Sequence, residues 1–192
     1  MIVKMKKTTT LLFCLLLIAA VSCKARKSPD QLVMLLEKNV TSFNPLKGSE
    51  SSDARMQQLI FNGLTRKNEK FEPVPDLAES FSSTPDYLTW TFKLKPNVKF
   101  HNGKVMSSAD VKYSFDTLMS KDFVTPKSGD FVKDKVALVT VEAPDASTVI
   151  FRCVNPMPGF PNQILPVGII PAGTVEVQSN SPVGTGPFKF VS

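Results

Sequence analysis

The sequence predicts a mixed α/β (α+β) chain, and three patterns in it do so. Leu88, Trp90, Phe92 and Leu94 alternate with Thr89, Thr91 and Lys93, a period of two that sets four large apolar side chains on one face of a strand. Val111, Phe115, Leu118 and Met119 recur at i, i+4, i+7 and i+8, the stripe of an amphipathic helix. β-branched runs at 136–141 and 148–154 flank Pro144 and Asp145, a hairpin signal.

The elements follow in chain order. Lys4, Lys6 and Lys7 precede an apolar run at 11–20, and Ala20, Val21 and Ser22 lie just before Cys23, the form of a secretion signal. Ten helical residues cover only about half of a ~30 Å hydrocarbon layer, so this run is too short to span one. Residues 24–30 read as a polar tether, with Lys24, Arg26 and Lys27 either solvated or near anionic head groups. Residues 32–36 are an apolar run fit for a buried strand, ended by Ser42-Phe43-Asn44-Pro45, since the residue before proline avoids the helical region. Residues 53–64 read as a helix, with Ser51 or Ser52 as N-cap and Met56, Leu59, Ile60 and Leu64 on one face.

Residues 72–76 hold two prolines and read as a loop; Leu77, Ala78 and Phe81 form an apolar patch ahead of the main strand. Asn102 and Gly103 supply a turn, because both types tolerate positive φ. Ser107, with Asp110 three residues on, has the form of a capping box. Residues 121–135 are charged and contain Pro126 and Gly129, which predicts an exposed irregular connection. Three prolines within 155–161 mark a boundary, and Phe188 and Phe190 suggest a strand near the end.

Composition narrows the function. The formal charge is +6, but without residues 1–22 it falls to 20 basic against 17 acidic residues. No basic run interleaved with aromatics points to nucleic acid. Of three cysteines, Cys14 lies in the signal and Cys23 at its end, so Cys153 stands alone and is expected as a buried free thiol. The single histidine, His101, sits in a turn with no metal-ligand partner at usable spacing and no nucleophile–acid constellation, and reads as structural. Gly184-Thr185-Gly186-Pro187 lacks the lysine of a phosphate loop and reads as a tight turn with close backbone approach. Trp90 and Phe92 read as core rather than a ligand platform, and the carboxylate pairs Asp110/Asp116 and Glu69/Glu72 as caps or solvated faces.

Residues 87–115 resemble the signature region of the family 5 solute-binding proteins, the dipeptide, oligopeptide and nickel receptors of bacterial ABC importers. The resemblance extends to Ser42-Phe43-Asn44-Pro45, IFNGLTR at 60–66, PDLAESF at 75–81 and PVGTGPFKF at 182–190, in the same order and spacing. It implies the N-terminal part of a two-lobed, type II periplasmic-binding-protein-like fold. Residues 1–22 would be a lipoprotein signal peptide, 23–30 a tether and 31–192 an incomplete N-terminal lobe. Within that lobe, about 46–155 would be an inserted subdomain and 156–192 the return to the main sheet, through a strand at 167–171 and a degraded connection at 174–181. Cys23 resembles the lipidated cysteine of a lipobox, with Ala20 where leucine is commonest. In the family, the Gly184-Thr185-Gly186-Pro187 segment falls about a third of the way along, so the chain is expected to be an N-terminal fragment.

The implied function is not enzymatic and needs no cofactor or metal. It is an extracytoplasmic, lipid-anchored receptor, in the periplasm or on the outer face of the cell membrane, that captures a solute, short peptides first, and delivers it to a membrane permease. Capture is a ligand-biased closure of two lobes. The alternatives left open are a sensory or structural surface lipoprotein and a truncated receptor without function. The loop after the family's first strand maps to Asn39, Val40, Thr41 and Ser42, the candidate ligand-facing residues. Most residues that separate peptides from nickel complexes or sugars fall outside this stretch, so the ligand stays open.

Overall fold

The computed structural model describes residues 34–48, 50–127 and 138–191, and divides the chain into two units, Met1–Leu35 and Leu36–Ser192. The signal, Cys23, the tether and the first two residues of the expected first strand therefore lie outside the described residues.

The centre of the Leu36–Ser192 unit is a four-stranded antiparallel sheet in the order β3-β4-β6-β5, formed by Ala78–Ser83 (β3), Thr89–Leu94 (β4), Leu138–Asp145 (β5) and Thr148–Cys153 (β6). The period-two reading of β4 holds: Trp90, Phe92 and Leu94 are buried. Register aligns Trp90 with Phe151 and Phe92 with Val149, so the apolar faces of β4 and β6 coincide. The hairpin expected around Pro144 and Asp145 is β5–β6.

Onto this face packs the helix Ser108–Met119 (α2; α1 is Ser51–Ile60), burying Val111, Phe115 and Leu118 as its stripe predicts. Asp110 accepts the Ser107 backbone N–H at 2.9 Å, the carboxylate half of the expected capping box. Phe115 and Phe151 meet edge to face with centroids 4.8 Å apart, and Phe160, from the short helix Phe160–Gln163 (α3), lies 5.1 Å from Phe151. Cys153 is buried and free, and desolvation raises its thiol pKa.

Six expectations need correction. Residues 72–76 are not a plain loop: Pro73–Pro75 (β2) pairs antiparallel with Thr65–Lys67 (β1) in a separate two-stranded ribbon. Proline fits there because an outer edge needs no donor. The helix expected over 53–64 is Ser51–Ile60 (α1); Glu50 is its N-cap and makes no side-chain cap bond. It ends at Ile60 because Phe61 turns extended, at φ −122° and ψ 144°.

The run at 34–36 forms no strand, and Leu35 is 94 % exposed. Residues 167–171 and 188–190 are likewise outside any strand. No described strand lies alongside these runs to complete a ladder, although Val167, Ile169 and Ile170 are buried in the core. Finally, the connection at 121–135 is not simply exposed in its described part: Lys127 is half-buried and hydrogen-bonded to Pro45 O at 2.5 Å.

Candidate functional site

The candidate loop, Asn39 to Ser42, runs beside α1. Asn39 and Thr41 are exposed, and Val40 and Ser42 half-buried. Asp53, in the first turn of α1, is fully buried. Its carboxylate accepts the Thr41 backbone N–H at 2.7 Å, the Thr41 hydroxyl at 2.6 Å and the Ser42 N–H at 3.3 Å. One turn on, the Gln57 amide donates to Ser42 O at 3.1 Å and to Asn44 O at 3.0 Å.

Asn44, fully buried, closes the loop by accepting the Leu46 N–H at 2.9 Å and donating to Val175 O at 2.7 Å. Lys127 donates to Pro45 O at 2.5 Å and to Gln57 Oε1 at 3.3 Å. Gly48 lies over the pair, where a Cβ would sit 2.6 Å from Gln57 Nε2 and 2.7 Å from Asp53 Oδ2. The four candidates are thus one continuous loop, seated on polar groups.

Burial pushes the Asp53 carboxyl pKa upward, but the Thr41 and Ser42 hydrogen bonds and the Lys127 charge outweigh it, leaving the pKa below the ordinary carboxylate value. Lys127 is pushed down to about 8 by desolvation, against the opposing pull of Asp53.

Asp53, Gln57, Asn44 and Lys127 were not among the sequence candidates. Polar residues at i and i+4 on a helix ordinarily mark a solvated face. Here that face is inward: α1 buries Ser52, Asp53, Gln57 and Ile60, while Met56 and Leu59 are only half-buried. The i, i+4 spacing of Asp53 and Gln57 was the available signal. It aligns two side chains but does not say what they face.

A second junction joins distant parts of the chain. His101 Nδ1 accepts the Gly184 N–H at 3.4 Å, and its Nε2–H donates to Gly186 O at 2.8 Å. The obligatory backbone roles fix the neutral Nε2–H tautomer. Gly186 and Phe188 N–H groups donate to Ile60 O and Leu59 O at 2.8 and 3.0 Å, satisfying carbonyls orphaned at the end of α1. His101 is therefore placed as a turn residue, and the Gly184–Thr185–Gly186 run as the close-approach turn its glycines suggested. Among the described residues no group of three or more His, Cys, Asp or Glu is arranged to hold a metal ion, and no helix is long and apolar enough to cross a membrane.

Residues 72–192 match the family model described as bacterial extracellular solute-binding proteins, family 5 Middle. The chain belongs to this family. A putative ABC transporter peptide-binding protein of Brucella ovis is 32 % identical over 162 residues, covering 78 % of this chain and 29 % of the relative. The solved structure of NikZ from Campylobacter jejuni in complex with Ni(L-His) matches with a TM-score of 0.72 at 30 % identity, over 82 % of this chain and 32 % of that one. The oligopeptide-binding protein AppA from Bacillus subtilis, in complex with a nonapeptide, matches with a TM-score of 0.69 at 25 % identity, over 79 % and 32 %. The chain thus spans about a third of the length of these relatives. The fold is the mixed helix-and-sheet fold of periplasmic binding proteins, as the sequence predicts, and the family consists of extracytoplasmic binding proteins rather than enzymes.

Proposed function

We propose that this chain belongs to the substrate-binding component of an ABC importer, which captures an extracytoplasmic solute, short peptides first, and passes it to a membrane permease. Family membership carries the reading. The peptide-binding name of the Brucella relative and the nonapeptide held by AppA support the ligand class. In this reading residues 1–22 are removed, Cys23 carries the lipid and 24–30 are the tether. Residues 31–192 form part of the first lobe, with about 46–155 inserted and 156–192 returning to its sheet. The loop of Asn39, Val40, Thr41 and Ser42 faces the ligand. Binding there is the work of a prearranged surface rather than of reacting groups.

Uptake of radiolabelled trialanine by cells carrying and lacking the gene tests the transport role; uptake should fall in the deletion strain. Equal trialanine uptake with lost uptake of a nickel–histidine complex would replace the peptide reading with that of NikZ. Labelling with radioactive palmitate tests the anchor: the wild type should incorporate label and Cys23→Ser should not. An unlabelled wild type removes the anchor from the proposal.

A further inference from the structure

Asp53 does more than satisfy a helix N-terminus. Its three donors all come from the candidate loop rather than from α1: Thr41 N–H, Thr41 Oγ–H and Ser42 N–H, at 2.7, 2.6 and 3.3 Å. The carboxylate is buried with no exposed surface and is backed by Gly48, which leaves no room for a Cβ. Gln57, from the same helix face, takes the loop's outgoing carbonyls, Ser42 O and Asn44 O. Donors and acceptors of the loop are thus read separately by two side chains on one rigid element.

We infer that Asp53 is the positioning residue of this loop: its carboxylate fixes where Thr41 and Ser42 present the groups they do not spend on α1. The role rests on the reading of residues 39–42 as ligand-facing, but acts through the loop and touches no ligand itself. A loop tied by charge-assisted bonds is ordered before a ligand arrives, so little ordering entropy is left to lose on binding. Asp53 is faced by Lys127 from beyond α2; the remaining charges nearby are the exposed pairs Glu37–Arg55, Lys38–Glu50 and Lys47–Glu176.

Amide hydrogen exchange of the full-length chain tests this. In Asp53→Asn, whose Nδ2 cannot accept the Thr41 hydroxyl proton, and in Asp53→Ala, the Thr41 and Ser42 amides should exchange about tenfold or more faster, as expected for lost bonds to a charged group. The β4 and β6 amides of Phe92 and Val149 should keep their wild-type rates. Thr41→Val, which removes only the hydroxyl donor, should give a smaller change and stands in if Asp53→Ala does not fold. In the wild type the Thr41 amide resonance should titrate with Asp53, below the ordinary carboxylate range near ~3.9, and in Asp53→Asn this titration should vanish. Unchanged exchange at Thr41 and Ser42, or equal acceleration throughout the sheet, overturns the inference. Calorimetry with trialanine separates it from the reading beneath: faster loop exchange with unchanged trialanine affinity, or with no trialanine binding in the wild type, upholds the positioning role and removes the ligand-facing assignment.

Discussion

Gly186 is a position where one added methyl group meets only backbone. A Cβ there would sit 2.5 Å from Leu59 O and 2.6 Å from the Ile60 carbonyl carbon, both backbone atoms that cannot swing aside. Gly184 is placed more tightly still, against Ile60 O. The two glycines let the turn reach the end of α1, and His101 holds it there through both ring nitrogens. Gly186→Ala should therefore destabilise the unit by about 1–3 kcal/mol, the cost of overpacking. Gly159→Ala, with nothing within 4 Å of its added methyl, should stay within about 0.5 kcal/mol. Urea midpoints of the two variants check this; equal midpoints would show that the turn is not clamped. Glycine spacing alone hinted at close approach, but its partner, the carbonyl end of a helix more than a hundred residues upstream, is a tertiary fact.

Among the elements, those legible in the sequence are those whose partners are also periodic. β4 and α2 each present one continuous apolar face, and each meets the other's layer through Phe151. Truncating Phe151 to alanine should cost about 3–5 kcal/mol by opening a cavity under α2, whereas Val154→Ala, 62 % exposed just beyond β6, should be near neutral. Thermal melts that place both variants together would move the core away from this ring. The illegible parts obey the opposite logic. α1 buries Asp53 and Gln57 because the loop before it brings unpaired backbone groups that only polar side chains satisfy, so of its apolar pattern Ile60 and, past the helix end, Leu64 are buried while Met56 and Leu59 are only half-buried. Residues 34–36 and 167–171 have strand composition, but a strand exists only beside another, and apolar runs do not specify their neighbour. The loop of Asn39 to Ser42 is a candidate through family resemblance alone; the groups that hold it carry no sequence pattern that marks them as its partners.

Across the Leu36–Ser192 unit, the described stretches without sheet pairing are tied to the rest through polar anchors as well as apolar packing, and this sets how stability responds to pH. Asp110 is fully buried and accepts bonds from Lys104 at 2.6 Å, the Ser107 N–H at 2.9 Å and the Ala172 N–H at 2.9 Å, joining α2 to the segment beyond α3. Burial raises its pKa, but these bonds and the Lys104 charge bring it below the ordinary value, as at Asp53. A carboxyl depressed in the folded state contributes stability that is present above the unfolded value near ~3.9 and is lost as pH falls through the folded value. Urea midpoints should therefore hold between about pH 5 and 7 and drop below about pH 4, with Asp110→Asn less stable at neutral pH and flatter on the acid side. Lys127 acts at the other end. Its folded pKa of about 8 lies below the ~10.4 of an unfolded lysine, so between these values the unfolded chain binds more protons and stability gains a contribution as pH rises. Lys127→Met should remove that contribution, and wild-type and variant midpoints that move in parallel from pH 8 to 10 would show that this lysine is not desolvated beside Asp53.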